Sequence, residues 1–506
     1  MKKRALIVFL GIALLVGVVS ILTSAERSKS RKALAAYKSE LRARGEKLTF
    51  EEAGYPFALE TNSNLEDFIV LANRLRAKSD LPGRIEFTPN ASTGRVVSAW
   101  AGGAIRAFDS NSSWSSKTSP SSVSWDELSE DMKASAELLA EIRAELQNPP
   151  RHFGWNYTNP FAANAPKNSY VQQRHAAQFL SADCLLALHE HDLPRARTNL
   201  HALTQLMQVH RDDWTLVSAM IRVAIASLGL TDTWQALQAD GWDDASLAKL
   251  QRDWEPVDLL ASLEAGFNGE KFFGQQAFTL IRSNDPAGQD QLMSLFGRGT
   301  TSSKSSLEDW GNELKGKTAM MYWRGHMDED EMFYLRDSMS RLQIIRRLRT
   351  NSSAASLKIE IKAQYDEVIK ELDAPLGKYR HLFSAISIPN FQRAFNTAVQ
   401  HETGRRMVIT AIALKRFQLG SGRYPDSLSE LVPQFLAAEL MDPWSGRPFH
   451  YRQNTDGMFT LYSVGEDGRD DGGDATSAKT NAPPDLWTGK DAVWPAPIFP
   501  DSPAKN

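Results

Sequence analysis

The chain lacks most of the features that would declare a chemistry. Cys184 is the single cysteine in 506 residues, which excludes an intrachain disulfide and a cysteine-based metal site. It lies in an Ala/Leu-rich helix pattern, where a lone thiol packs as a small core residue. Net charge is only −3, and the basic residues are scattered with no basic–aromatic stripe, which argues against nucleic acid. The sequence contains no Gly-x-Ser-x-Gly elbow, no phosphate loop and no Gly-x-Gly-x-x-Gly fingerprint. Gly297-Arg-Gly299 lacks the third glycine and sits in a polar stretch.

Composition is that of a globular protein, with 42% hydrophobic and 24% charged residues. The length fits roughly two to four domains. Lys2-Lys3-Arg4 precede an uncharged run, Ala5 to Ala25. Its 21 residues would span about 31 Å as a helix, enough for a hydrocarbon core of roughly 30 Å. A signal peptide ending at Thr23-Ser24-Ala25 is the alternative. The run is long for a signal core, so an uncleaved single anchor is preferred. Arg27, Lys29, Arg31 and Lys32 balance the leading positives, so the positive-inside rule sets no orientation. The short N-terminal tail favours an inner-membrane anchor with the bulk in the periplasm.

Residues 26–44 read as a helix stopped by Gly45, and Thr49-Phe-Glu-Glu52 as a capping box. Pro and Gly interrupt 82–120, where Val96-Val97 and Ile105–Phe108 read as strands, and Ser110–Ser122 as a serine-rich linker. Ser124-Trp-Asp-Glu127 is another capping box. From there to about 400 the spacing predicts helix after helix: 173–190, 195–210, 214–239, 243–265, 328–350, 354–372 and 391–419. The fold class expected is mainly α, an ectodomain of stacked helical pairs, loosely solenoid-like, without a defined repeat period. Trp214, Trp234, Trp242 and Trp254 fall in or at the ends of these helices, the usual place for core packing.

His189-Glu190-His191 invites a zinc reading. A His-Glu-x-x-His site needs histidines four apart on one helical face, and these are two apart, beside Asp192-Leu-Pro194. They read as a helix end. His401-Glu402 is on a helix and also lacks a second metal ligand.

The most specific stretch is near the C-terminus. A helix to Leu419 runs into Gly-Arg-Tyr-Pro (422–425) and a third capping box, Ser427-Leu-Ser-Glu430. Asp442-Pro443-Trp444 follows, then two alternating segments, Phe449–Arg452 and Met458–Tyr462, joined by Asn454-Thr-Asp-Gly457. Gly465 to Asp474 closes the stretch. Between 466 and 474 there are five carboxylates and one arginine, a repulsive set that Ca²⁺, with six to eight oxygen ligands, would relieve. It is not an EF-hand, because Arg469 and Ala478 stand where that loop needs carboxylates.

These elements, over about 405–474, resemble the C-terminal half of the major pseudopilin of type II secretion. The resemblance implies a small α+β module with a calcium-binding loop after the last strand. By position Asp467 matches the first loop aspartate, with Asp470, Asp471 and Asp474 as the later ligands. The anchor departs from that family: Ile12 follows Gly11, and the run has no glutamate. The overall layout also resembles large envelope proteins of planctomycete and verrucomicrobial type.

The division expected is an anchor (1–25), a mixed region with linker (26–123), a helical domain (124–400), a pseudopilin-like module (401–480) and a Pro-rich tail (481–506). The leading expectation is a non-enzymatic envelope scaffold bound to the membrane and to another envelope protein. The alternative is an envelope hydrolase with a carboxylate-based site in the helical domain. Several acids and a histidine converging in a cleft would favour the hydrolase.

Overall fold

A computed structural model describes residues 26–54, 63–88, 95–101, 104–107, 121–150, 169–209, 211–283, 306–350, 352–388, 391–477 and 486–498. The uncharged run Ala5–Ala25, most of the serine-rich segment 110–122, the Gly297-Arg-Gly299 stretch and the ends of the tail lie outside the described residues.

The protein is mainly helical. Helix α1 covers 26–43, and Gly45 takes the left-handed φ of +85° that ends it. Thr49-Phe-Glu-Glu52 opens only a turn: Thr49 Oγ1 accepts the Glu52 N–H at 3.1 Å, but the Glu52 carboxylate goes to the Leu48 N–H. Helix α2 (Ser63–Lys78) leads to a three-stranded antiparallel sheet in the order β1 (Ile85–Thr88), β3 (Ala104–Ala107), β4 (Ser121–Val123), while β2 (Arg95–Val97) stands apart. Helix α3 (Trp125–Glu145) starts on the capping box read from sequence. Ser124 Oγ accepts the Glu127 N–H at 3.1 Å, and the Glu127 carboxylate accepts the Ser124 N–H at 2.8 Å. Such a cap is worth about 0.5–2 kcal/mol.

Helices α4 (Ser169–His189), α5 (Leu193–Leu206) and α6 (Leu216–Leu237) stack on one another as antiparallel neighbours joined by short turns. The single helix expected at 243–265 is two: α7 (Asp244–Trp254) and α8 (Leu259–Arg282). Pro256 separates them, and Asp258 caps α8 through the Ala261 N–H at 2.7 Å. Helix α9 (Ser306–Arg349) begins 22 residues before the expected 328. Helix α10 (Ala354–Asp373) lies where expected, followed by two short helices, α11 (Gly377–Arg380) and α12 (Leu382–Ser387).

Helix α6 is the most apolar of the described helices. Among the described residues it alone is long and apolar enough to cross a membrane. Yet it packs against α4, α5, α8 and the long helix α13 (Phe391–Ser421), and buries Arg222, Asp232 and Gln235 among them. Its last four carbonyls, which no helix can pair internally, are taken by side chains. Gln238 Nε2 donates to Trp234 O (2.9 Å), Trp100 Nε1 to Gln235 O (3.1 Å), Trp242 Nε1 to Ala236 O (2.7 Å) and Lys415 Nζ to Leu237 O. Trp234, Trp242 and Trp254 are buried, as their places in or at the ends of helices implied, and Trp214 is half-buried.

Helix α13 runs without interruption through residues 400–401. The Ser427 capping box opens a 3₁₀ turn (Leu428–Leu431) rather than an α-helix. A short antiparallel pair, β5 (Met441–Asp442) with β6 (Arg447–Pro448), precedes the hairpin β7 (His450–Gln453)/β8 (Phe459–Ser463), which pairs His450 with Tyr462 and Gln453 with Phe459, as the turn signal predicts. Two strands of the tail complete the region: β9 (Ala492–Val493) adds to β8, and β10 (Ala496–Ile498) runs parallel to β2. One hydrophobic cluster extends from Leu34 to Val464 and includes Trp444.

Candidate functional site: a carboxylate–histidine cleft

The acidic loop is organised around a carboxylate that sequence reading passed over. Asp491 is buried and accepts the backbone N–H groups of Asp471 (3.1 Å), Gly473 (2.7 Å) and Asp474 (3.2 Å). Gly472 and Gly473, at φ of +74° and +79°, turn these donors inward. The result is a backbone nest of the kind that holds anions. Burial pushes the Asp491 carboxyl up, opposed by these N–H bonds.

The four predicted ligands do not converge. Asp467 accepts the Arg469 N–H at 3.0 Å. Asp470 accepts the Gly472 N–H (2.9 Å) and the Tyr462 hydroxyl (3.0 Å), with His450 at 3.5 Å. Asp474 receives Lys490 at 2.7 Å and the Thr476 N–H at 2.9 Å, and Lys490 above all holds its carboxyl down at about 2. Among the described residues no three His, Cys, Asp or Glu side chains come together as a metal-holding group.

The histidine pairs behave as helix features. His189 stacks on Trp125 at 4.2 Å and contacts Trp100 O through Nδ1 at 3.0 Å, and Glu190 pairs with Arg195 at 2.7 Å. His191 adopts a left-handed φ of +59° that ends α4. Glu402 is buried between Arg405 (2.7 Å) and Arg406 (2.8 Å), which hold it ionised against the cost of burial.

A different set of groups converges between α9, α10 and α11–α12, around a cavity of about 430 Å³. Its local cause is the turn after α10. Pro375 cannot continue the helix, and Leu376 takes a left-handed φ of +61°, a strained choice for a branched residue. Gly377 then passes so close to α10 that a Cβ there would lie 2.3 Å from Glu371 O. This tight return places His381 against both α10 and α9. Its Nε2 is 3.2 Å from Glu371 Oε1, its ring stacks on Phe333 at 4.5 Å, and its Nδ1 is 3.9 Å from Asp330 Oδ1. That Nδ1 is buried and makes no hydrogen bond.

Asp330 is fully buried and receives four donors: Trp323 Nε1 (2.5 Å), the Phe383 N–H (2.9 Å), the Ser384 N–H (3.3 Å) and the Ser384 hydroxyl. It thereby anchors the first turn of α12. All four donors are neutral, so desolvation prevails and pushes the carboxyl up to about 6. Burial lowers His381 below the ordinary imidazole value, more than Glu371 raises it. At neutral pH the cleft therefore holds a neutral imidazole between two carboxylates. Arg336, stacked over Tyr37 at 5.6 Å, and Arg380, 3.7 Å from Glu329, are the two cations of a lining that also holds Asp337 and Glu367.

Next to the cleft, Glu331 is buried in ion pairs with Lys38 and Arg282 and serves to bind α1 to α9 and α8. None of His381, Glu371 or Asp330 stood out in the sequence. One signal was available: Asp328-Glu-Asp-Glu331 puts four acids in succession on a helix, so the run cannot all face solvent. Compared with protein-family models, with characterised proteins and with solved structures, the chain matches none.

Proposed function

We propose that the chain is a membrane-tethered envelope protein that carries out acid–base hydrolytic chemistry at the α9–α10 cleft. The observation that carries this reading is His381, a buried imidazole with one nitrogen on Glu371 and the other unpartnered, at the wall of a cavity. A histidine held neutral near pH 7 has the basicity of a general base, and its free Nδ1, buried on the Asp330 side, reaches water once the turn at 376–381 shifts. Glu371 fixes the ring, and the Asp330 charge at 3.9 Å stabilises the imidazolium formed after proton transfer. Glu329, Asp337, Glu367 and Glu371 outnumber Arg336 and Arg380 on the lining, which disfavours an anionic substrate, while Met332, Phe333 and Val368 offer an apolar surface.

The scaffold reading has its own support. Tyr365, Ile369, Leu376 and Tyr379 are exposed along the outer part of α10 and the turn after it, which few other elements cover. In either reading the run Ala5–Ala25 tethers the chain, and the acidic loop is a calcium-stabilised end related to pseudopilins. Asp467 and Asp471, exposed and without an ion pair among the described residues, support that role for the loop. The test is a panel of chromogenic esters, phosphoesters, glycosides and peptides. Turnover of one class, lost in both His381→Ala and Glu371→Gln with unchanged circular dichroism, is expected. No turnover of any class, or turnover that survives both changes, leaves the scaffold.

A further inference from the structure

A second cavity, of about 380 Å³, opens where the end of α6 meets α13, the β7–β8 hairpin and the tail. It shares no residue with the histidine cleft. Its walls are aromatic: Trp242, Tyr424, Phe459 and Trp494. Tyr424 and Phe459 meet edge to face at 4.9 Å, which fixes both rings. Leu419 and Met458 are exposed at the same cavity.

Three polar side chains line it with hydrogen-bonding capacity left over. Lys415 spends one donor on Leu237 O, and an ammonium has three. Burial lowers its pKa, with Asp240 pulling the other way. Asp240 and Gln418 have no side-chain hydrogen bond or ion pair among the described residues. The lining thus offers donors, acceptors and a side chain that is both. Its two charges are opposite and cancel.

These features select among ligands. An anion would be opposed by Asp240, and a cation by Lys415. A purely apolar guest would cover a half-buried amine and an amide without pairing them, which opposes its binding. A neutral sugar meets every requirement. Each hydroxyl both donates and accepts, and the C–H face of a pyranose ring lies flat on an aromatic ring. The volume is at the small end of the range for ligand sites, about 300–1,000 Å³, which suits one or two rings.

We propose that this cavity is a carbohydrate subsite, with the half-buried Trp494 as the stacking wall and Asp240, Lys415 and Gln418 as the hydroxyl partners. It is independent of the hydrolytic reading and stands whether or not the histidine cleft turns over substrate.

The test uses the full chain in a sugar-free detergent, titrated with cellotetraose, chitotetraose, maltotetraose and mannotetraose. Calorimetry and tryptophan fluorescence report binding. At least one tetrasaccharide is expected to bind at millimolar or lower concentration and change the emission. Asp240→Ala and Trp494→Ala should each weaken it by about tenfold or more. Asp240 is exposed, so that variant keeps its Tm and carries the test if Trp494→Ala fails to fold. Leu419→Asp at the exposed rim is a second folded control and should weaken binding as well. Absence of binding by all four sugars overturns the proposal. So does binding that Asp240→Ala and Leu419→Asp leave unchanged, or an oligoproline peptide that occupies the cavity in place of the sugars.

Discussion

The acidic loop and the histidine cleft are both rich in carboxylates, and they use them in opposite ways. In the loop the key acids are spent on the chain itself. Asp491 fills a nest of three N–H groups, Asp470 holds Tyr462, and Asp474 holds Lys490. In the cleft the buried His381 Nδ1 has no partner, while Glu371 reaches the ring's Nε2 from a largely exposed position. Charge density in the sequence marked the loop, yet an unspent imidazole nitrogen lies in the cleft, and what sets it apart from the buried unpaired His175 Nδ1 is the cavity beside it. What separates loop from cleft is whether each polar atom already has a partner, because an unmatched buried group is a cost a purely structural site would avoid.

The comparison breaks most visibly at Asp491. Asp491→Ala strands three N–H groups that now share one carboxylate, and should cost roughly 3 kcal/mol. Thermal unfolding measures the loss, and hydrogen exchange should show it concentrated in 465–474. Retained protection there would mean that the nest is not what shapes the loop.

Next in size is the turn that builds the cleft. Gly377→Ala pushes a methyl group to within 2.3 Å of Glu371 O, so the backbone must move. The expected penalty is about 1–3 kcal/mol. The His381 imidazole resonances should shift as the ring leaves Glu371, whereas those of His450 beside the loop stay in place. An unmoved His381 signal would separate the turn from the cleft.

Calcium tests the loop alone. Metal tenfold above Kd should stabilise the folded state by about 1.4 kcal/mol relative to EDTA. Asp467→Ala should remove that increment without altering the cleft histidine. Magnesium should substitute poorly, because it demands a stricter octahedron. Equal Tm in calcium and EDTA would leave the outward aspartates as a solvated turn.

The smallest effect is the pH slope of the cleft. His381 is depressed in the fold, so the unfolded chain takes up its proton first. Stability at this group is full near pH 7 and falls as pH drops through the ordinary imidazole value. Asp330 is raised to about 6, so its contribution has the opposite sign and stability recovers as pH falls below that value. Urea titrations of wild type and His381→Asn between pH 7.5 and 5 isolate the first slope, since Asp330 titrates in both. Parallel curves would refute the depressed imidazole.

Local rules settled much of this protein from the sequence alone. Helices α3 to α6, α10 and α13 follow from apolar spacing, and the start of α3 from the Ser124–Glu127 box. Asn454–Gly457 fixed the β7–β8 register, since a hairpin turn needs only its own residues. The buried tryptophans were legible from their places in or at the ends of helices, where a large apolar ring packs into the core. Contacts between distant segments carry no such period, and tertiary structure alone decided them. Ala496–Ile498 reaches back to Arg95–Val97, Asp491 supplies the centre of a loop some twenty residues earlier, and Lys415 and Trp100 close the end of α6. His381 meets Asp330, 51 positions away, only because Gly377 lets the chain turn back against α10. Residue type gives each of these groups its chemistry. Whether that chemistry is consumed or left available depends on which partner the fold brings within about 3 Å of it.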